Sequence, residues 1–531
     1  QCRFAARYQW LREQLEFDAA RLPHRPCPEF EKWYSEIDPH RLVLIFASAY
    51  LNNPASMFGH TLLRIDPERG QSGRELISYA LNYAAQTNER SGIVFAYRGI
   101  FGGYLGTFSL MPYYDKVKEY NDLESRDLWE YELDFSQREV DRVMRHAWEL
   151  EGIRFRYYFF LENCSYRLLE LLELARPGLE LTDGFRIWAT PSDTLRAVLE
   201  QEALLVESKF RPGKATVIRA YVRQLGGEAR RIAHELAMGE IEAGGAGPRG
   251  LSPDDRAAAL EVAHEFLHYL MLDGEVAGRE ARQRLHRLLV ARSRVDAASG
   301  LDRLERPRGR PDQGHGTARV VTGGGAIEGE GFVSLGWRPA YHDLLDPPLG
   351  YQRGAQINFF DGQLRAWPRK GSIDLEHLHL VNIESLAPRG RFFRPSSWHV
   401  HVGLDRQEAP DGRRVSVGEL AAGSTVSYRV GAGQIHGGWM GRAQWGSGLP
   451  GDGLVGFGPE AGWLARLGPW GTARLAASTL WHYEEDEVIS ELSFEHRVPL
   501  DPTGAIGLKL ERRDAFDRTF DEVHVTFHLY H

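Results

Sequence analysis

Alternation of apolar and polar residues with a period of two constrains the fold of this chain more than any other feature of its sequence. It recurs from His315 onward, for example in Trp398–Leu404, Ile506–Arg513 and Val523–Tyr530. Successive side chains of a β-strand point to opposite faces, so each segment predicts a strand with one apolar and one polar face. Roughly ten to twelve segments of about ten residues have the length that a tilted strand needs to cross a bilayer. We therefore predict an antiparallel β-barrel of about 12 strands over residues 314–531, of the outer-membrane kind.

Aromatic residues near the predicted strand ends favour a membrane barrel, because such residues form girdles at the two bilayer interfaces. They are Trp337, Tyr351, Trp367, Trp439, Trp445, Trp463 and Trp481. A soluble β-sandwich or β-solenoid shows the same alternation and is the alternative. Outer-membrane barrels usually end in an aromatic residue, whereas here His531 follows Tyr530.

The length and composition of the chain indicate a folded protein of several domains. Its 531 residues exceed one ordinary core, and 43% of them are hydrophobic and 26% charged. The net charge of -9 gives no electrostatic reason to expect nucleic-acid binding. No run of 18 or more apolar residues predicts a transmembrane helix. Because the first residue is Gln1 rather than methionine, we expect a processed or truncated product.

The order of strand-like and helix-like segments predicts an α+β fold with four regions. Residues 1–40 are a helical segment, 41–215 a catalytic domain, 216–310 a helical region and 314–531 the barrel. Within 41–215, strands are predicted at 42–49, 60–66, 75–81 and 91–96, and helices at 136–151 and from Asn163 to Pro177. Residues 216–300 predict two or three helices around a glycine-rich break.

The chain has three cysteines, so at least one of them lacks a partner. Cys2 and Cys27 flank a short helix-like segment, and a disulfide between them would indicate an oxidising compartment. The alternative is two inert buried thiols. With that disulfide formed, Cys164 is the free thiol.

Cys164 and His60 are the candidate nucleophile and base. Cys164 precedes the apolar stripe of its predicted helix, where N–H groups and the helix dipole lower a thiol pKa and can bind an oxyanion. His60 begins a predicted strand after the turn-forming segment NNPASMFG, which suits a residue aimed into a cleft. A buried structural cysteine and a structural histidine are the alternatives.

The segments NNPASMFGHTLLRI and FLENCSYRLLELL together resemble the bacterial family of the lipoprotein N-acyltransferase Lnb, in its periplasmic domain. The histidine-bearing strand precedes the cysteine-bearing helix, as in permuted members of the papain-like, NlpC-type superfamily. Two later segments, PDQGHGTAR and GWRPAYHDLLDPPLGYQRGAQ, resemble the β-rich region that accompanies this domain. The resemblance implies a permuted papain-like catalytic domain that transfers an acyl chain from a phospholipid to a lipoprotein amino terminus.

The resemblance also implies roles for individual residues. Cys164 would form a thioester and His60 would act as general base and then acid. Asn82 is the first choice for the group that orients His60, and Asp66 the second. Further residues are expected to position substrate, support the oxyanion, or only form a turn or helix cap: Asn53, Ser56, Glu162, Asn163 and Ser165.

No metal ion or other cofactor is expected. His264 and His268 fit an HExxH motif, but no third ligand follows at a recognised spacing, and the helix has the pattern of a packed helix. The histidines near His377, His379, His399 and His401 are expected to face the barrel lumen or to lie in turns.

Three functions stay open. The first is an acyltransferase or lipase at the outer membrane, facing the periplasm, with phospholipid and lipoprotein substrates. The second is a cysteine peptidase or amidase of the NlpC type acting on peptidoglycan, and the third a barrel-linked binding module without enzymatic activity. An apolar cleft would favour lipid, and its candidate lining is Phe58, Phe101, Tyr104, Phe108, Tyr157 and Phe159. The sequence does not predict an oligomeric state.

Overall fold

The structure, a computed structural model, describes residues 1–15, 18, 20–49, 57–68, 75–87, 89, 92–302, 304–483 and 487–531. The chain divides into two compact units, Gln1–Arg308 and Gly309–His531. The first unit mixes helices with one sheet, and the second is a closed antiparallel barrel. The prediction of an α+β chain with a C-terminal barrel is confirmed.

The first unit is built on a seven-stranded antiparallel sheet with the strand order β6-β4-β3-β2-β1-β5-β7. Its strands are β1 (Arg41–Ala47), β2 (His60–Asp66), β3 (Tyr79–Gln86), β4 (Tyr104–Pro112), β5 (Leu128–Leu133), β6 (Arg154–Tyr157) and β7 (Leu205–Arg211). The inner strand β1, which lies between β2 and β5, is almost wholly buried, and this is why its sequence RLVLIFA is a nearly continuous apolar run.

Helices cover both faces of this sheet and continue beyond it. They are α1 (Ala5–Leu15), α2 (Pro28–Ile37), α3 (Gly92–Ile100), α4 (Tyr113–Val117), α5 (Gln137–Leu150), α6 (Cys164–Ala175), α7 (Pro191–Leu199), α8 (Lys214–Gln224), α9 (Gly227–Met238), α10 (Ala246–Arg249), α11 (Pro253–Leu272) and α12 (Gly278–Ser293). A π-helical turn, Lys118–Leu123, continues α4. Within the described ranges, no helix is both long enough and apolar enough to span a bilayer.

Helix α6 lies against β2 and β3 through its apolar stripe. Leu168, Leu171, Leu172 and Ala175 are all buried in one core cluster with Leu63 of β2. Spacings of three and four residues put these side chains on one side of the helix. The packing fixes the N-terminus of α6 beside the first residues of β2.

The prediction of a strand at 91–96 is wrong, because residues 92–100 form helix α3. A short apolar run does not distinguish strand from helix by itself. Tertiary packing favours the helix here. The centroid of the Phe95 ring lies 4.8 Å from that of Phe159 and 5.5 Å from that of Tyr104. The region after β7 also has more helices than the predicted two or three, since α8, α9, α11 and α12 each span at least two turns.

The second unit is a barrel of twelve main strands that closes where β9 pairs with β11. The main strands are β8 (Arg319–Ile327), β9 (Glu330–Arg338), β11 (Ala355–Trp367), β12 (Ser372–Ser385), β14 (Ser397–Glu408), β15 (Arg414–Val430), β16 (Gly433–Trp445), β17 (Gly453–Arg466), β18 (Thr472–His482), β19 (Glu487–Pro499), β20 (Gly504–Ala515) and β21 (Arg518–Tyr530). Two short strands, β10 (Ala340–His342) and β13 (Pro388–Arg389), pair with β11 and β15. Closure leaves the main ladder without an open edge.

The barrel is apolar outside and charged inside. Outward residues such as Val455 and Phe457 are 68% and 57% exposed. Inside, Arg442 of β16 binds Glu491 of β19 at 2.7 Å. Apolar surface around a polar interior is the reverse of a water-soluble core and matches a barrel that is surrounded by lipid. The soluble sandwich and solenoid alternatives are thereby excluded.

Candidate active site

Cys164 is the first residue of α6, and its side chain is buried. It carries a free thiol, whereas Cys2 and Cys27 are joined by a disulfide. Asn163 caps the helix, because its side-chain oxygen accepts hydrogen bonds from the N–H groups of Ser165 and Tyr166 at 3.1 and 3.2 Å. The cap holds the sulfur at the positive end of the helix dipole.

His60 is the first residue of β2, and the turn before it directs its ring to Cys164. Gly59 has φ of +93°, and a Cβ there would lie 2.8 Å from the Phe46 ring, so this turn requires glycine. The His60 Nε2 lies 2.8 Å from the Asn82 Oδ1. Because an amide oxygen only accepts, Nε2 carries the proton and Nδ1 is the basic nitrogen.

His60 and Cys164 interact strongly. Burial raises the pKa of the Cys164 thiol, whereas the charge and the hydrogen bond of His60 are the largest of the influences that lower it. The Thr61 backbone N–H and the Tyr157 hydroxyl donate to the same sulfur, and together these influences outweigh burial and bring the pKa down to about 7. The thiolate is therefore well populated at neutral pH, as a sulfur nucleophile requires.

Tyr157, the last residue of β6, is a site residue that the sequence indicated only as part of an apolar lining. Its Oη accepts a hydrogen bond from the Cys164 backbone N–H at 3.4 Å. Burial raises the Tyr157 pKa well above its ordinary value, so the hydroxyl keeps its proton and remains a donor. A hydroxyl and a backbone N–H thus lie together beside the nucleophilic sulfur.

The structure places the other candidates in different settings. Asp66 lies at the far end of β2, where Arg64 holds both of its oxygens at 2.7 and 2.8 Å, and it does not contact His60. The Asn163 amide nitrogen donates to the Phe159 and Ala189 carbonyls, at 2.9 and 2.5 Å. Its hydrogen bonds are therefore used to fix the loop and the helix end.

Ser165 and Glu162 also have local partners. The Ser165 hydroxyl donates to the Asn163 Oδ1 at 2.8 Å, and Glu162 pairs with Arg167. Asn53 and Ser56 lie outside the described residues.

Aromatic side chains stand beside the loop that leads to Cys164. The Phe160 ring packs edge-on against Trp188 at 4.3 Å and against Phe58 at 5.8 Å, between ring centroids. Tyr104 and Phe108 of the predicted lining are instead buried in the main core of the unit.

In the described structure, a lysine contacts the HExxH motif on α11. Lys214 contacts both the Glu265 carboxylate, at 3.1 Å, and the His268 Nδ1, at 2.9 Å. An ammonium group in this position would repel a metal cation and already satisfies the carboxylate.

The closed barrel with an apolar outer surface defines an outer-membrane β-barrel protein. Residues 29–201 match the family model described as the Lnb N-terminal periplasmic domain. The resemblance predicted from the two motifs is thereby confirmed. Residues 208–304 and 308–530 match models for domains of unknown function, DUF7842 and DUF7840.

No curated protein matches the chain. Among solved structures it is similar to an anion-selective porin from Comamonas acidovorans, with 10% identity over 40% of this chain and 99% of the porin, and a TM-score of 0.23. It is also similar to the outer membrane phospholipase A from Escherichia coli, with 10% identity over 41% of this chain and 97% of that one, and a TM-score of 0.23. Scores this low carry no argument about fold or activity. The periplasmic-domain family and the closed barrel themselves place the protein in the outer membrane with a periplasmic domain.

Proposed function

We propose that this protein is a thiol-dependent acyltransferase that moves acyl groups between phospholipid and lipoprotein through a thioester on Cys164. The observation that carries the proposal is the interaction of Cys164 with His60, whose ring is in turn held by Asn82. A nucleophile, a base and a group that orients the base are the parts that acyl transfer by a thiol needs. The family match of residues 29–201 supports the same chemistry.

In the first half-reaction the Cys164 thiolate attacks the ester carbonyl of a phospholipid. The carbonyl oxygen becomes an oxyanion, and we assign as its donors the Cys164 N–H, which at rest donates to the Tyr157 oxygen, and the Tyr157 hydroxyl. The C–O bond then breaks, protonated His60 gives its proton to the departing alcohol, and the acyl group stays on sulfur as a thioester.

In the second half-reaction an amine attacks the thioester. His60 takes the proton of the amine, the C–S bond breaks, and the products are an amide and the regenerated thiolate. Asn82 keeps the proton on Nε2 throughout, so that Nδ1 accepts and returns the transferred proton.

Three further features support a lipid substrate and this catalytic domain. The aromatic group Phe58, Phe160 and Trp188 gives the neighbourhood of the site an apolar wall, and the barrel keeps the protein in a membrane. The histidine strand precedes the cysteine helix, which supports a permuted papain-like domain over residues 41–215. In this proposal residues 1–40 and 216–310 are helical additions to that domain.

The purified protein, mixed with labelled phospholipid and a diacylated lipopeptide with a free amino terminus, tests the proposal. We expect labelled acyl chains on the lipopeptide amine with wild type and none with Cys164→Ala. Release of free fatty acid alone would indicate a lipase. Cleavage of a peptidoglycan stem peptide without phospholipid turnover would refute the proposal in favour of a peptidase.

A further inference from the structure

Histidines and aspartates gather on the inner surface of the barrel, outside the site described above. His379 lies on β12, and His401 and Asp405 lie on the neighbouring strand β14. One nitrogen or oxygen atom from each of the three lies within 4.8 Å of the others. His377 extends the group, because its ring stacks on that of His379 with 4.2 Å between centroids.

Both imidazoles point the same nitrogen at one carboxylate. The His379 Nε2 is 2.9 Å from the Asp405 Oδ1, and the His401 Nε2 is 3.2 Å from its Oδ2. Ligand atoms around a tetrahedral zinc ion, with bonds of about 2.0–2.1 Å, lie about 3.3 Å apart. The two observed N···O spacings are those of hydrogen bonds to different oxygens of the carboxylate, and they lie close to that value.

The backbone is shaped to bring these groups together. A β-bulge between His379 and Val381 shifts the register of β12 against β14 and turns His379 toward its partners. Opposite His379 stands Gly403, where a Cβ would lie 3.2 Å from the His379 ring and 2.9 Å from the Leu378 carbonyl. Gly403 therefore leaves the space that the imidazole occupies between His401 and Asp405.

The charges around the group favour a cation. In the part of the chain that the structure describes, no arginine or lysine forms an ion pair with Asp405. Glu419 adds a second negative charge 4.0 Å from the His401 Nε2, although Arg442 is 3.6 Å from the same carboxylate. Asp405 pairs instead with the two imidazoles, and Arg442 acts on it only at longer range. A largely buried carboxylate faced by two imidazole nitrogens is a set of ligands that suits a transition-metal cation.

A second cluster in the barrel differs because its carboxylate is already paired with arginines. His315, His342 and Asp346 also bring three ligand atoms together. There, however, Arg338 and Arg497 hold the Asp346 oxygens at 2.6 and 2.5 Å. Guanidinium groups already provide the positive charge, so that cluster is an internal ion network rather than a metal site.

We propose that the barrel binds one divalent transition-metal ion of the zinc type through His379, His401 and Asp405. Imidazole nitrogen and carboxylate oxygen are ligands that Zn²⁺ prefers, and three of them leave a fourth position for water or His377. The bound ion links β12 to β14 inside the wall of the barrel. The site does not depend on the acyltransferase proposal, because none of its residues belongs to the thiol site.

The test uses the full-length protein in detergent micelles, stripped with a chelator, with Cys164 alkylated so that no thiol competes. Zn²⁺ is titrated against a chromophoric chelator, and X-ray absorption at the zinc edge identifies the ligand atoms. We expect one equivalent of Zn²⁺ with only nitrogen and oxygen ligands. His379→Gln and Asp405→Asn should each weaken binding at least about tenfold, since even outer-shell losses cost that much.

His436→Gln, a change at a buried barrel histidine outside the cluster, is the matched control and should leave the affinity unchanged. Heat-dependent gel mobility shows whether each variant is a folded barrel. If one variant does not fold, the other variant and the wild-type absorption spectrum decide the question. The proposal is overturned if the folded wild-type protein takes up no Zn²⁺. It is also overturned if both variants fold and bind Zn²⁺ with the wild-type affinity.

Discussion

Removal of the His60 side chain is expected to move the ionisation of Cys164 to higher pH. Burial alone raises the thiol pKa, and His60 is the largest of the influences that bring it down to about 7. In His60→Ala the burial remains and the imidazole is gone, so the pKa should rise to at least the ordinary thiol value of about 8.5. Because the thiolate is the form that reacts, the variant needs a more alkaline solution to react at the same rate.

The expected change in the midpoint of the pH profile is larger than the expected change in the rate at pH 7, so the midpoint is the quantity to measure. At pH 7 a thiol of pKa about 7 is about half ionised, and one of pKa about 8.5 only about 3% ionised, a roughly fifteenfold loss. The more basic thiolate is intrinsically about fivefold more nucleophilic, for a Brønsted slope of about 0.4–0.5. The rate at pH 7 therefore falls only about threefold, while the midpoint of the pH profile moves by at least about 1.5 units.

The assay is the rate of Cys164 alkylation by iodoacetamide as a function of pH, followed by intact mass. Cys2 and Cys27 are joined in the disulfide and therefore do not react with iodoacetamide. His264→Ala changes a histidine of the same unit that lies on α11 and should leave the midpoint near 7. An unchanged midpoint in folded His60→Ala would refute the electrostatic pairing of these two residues.

Three further changes test other parts of the structure. Asn82→Ala removes the acceptor of the His60 Nε2–H and should lower the rate of phospholipid turnover by about tenfold, the upper range for one hydrogen bond, with Asn82→Gln as a partial rescue. Reduction of the Cys2–Cys27 disulfide, which spans 25 residues, should lower the free energy of unfolding of the first unit by about 3 kcal/mol in urea melts, and an unchanged melt would contradict its structural role. Leu492→Arg puts a charge on the outer surface near the middle of β19, where the side chain is 48% exposed, and should destabilise the barrel in vesicles by about 2–4 kcal/mol.

The barrel was the part of the fold most open to prediction from sequence. Alternation along Trp398–Leu404 is a local property of the chain, and a strand converts it directly into an inner and an outer face. The closure of the barrel could not be predicted from local sequence, because the pairing of β9 with β11 depends on the number and tilt of all the strands. The bulge that aims His379 depends on register and left no recognisable sequence signal.

Helix α3 shows the limit of local patterns in the first unit. Its sequence GIVFAYRGI has the β-branched and aromatic content of a strand, and the helix is set by the packing of Phe95 against Phe159. Those two residues are far apart in sequence, so no window around residue 95 contains the deciding contact.

The two motif residues of the candidate site could be predicted from the sequence, whereas the residues that surround them could be predicted only in part. Cys164 and His60 each stand at the start of an element, which the flanking turn and cap residues indicate. Asn82 was one of two choices for the partner of His60, because the register of β2 against β3 decides which side chain of β3 the His60 ring reaches. Tyr157 was expected only as lining, since the direction of its hydroxyl depends on how β6 meets the end of α6.

The central claim is that Cys164 carries an acyl group as a thioester, and intact-mass analysis after incubation with phospholipid vesicles tests it most directly. The account predicts a fatty-acyl mass on the wild-type protein that neutral hydroxylamine removes. In Cys164→Ser, any adduct would be an ester that neutral hydroxylamine leaves in place. No adduct and no phospholipid turnover, in protein whose Cys164 still reacts with iodoacetamide, would contradict the account.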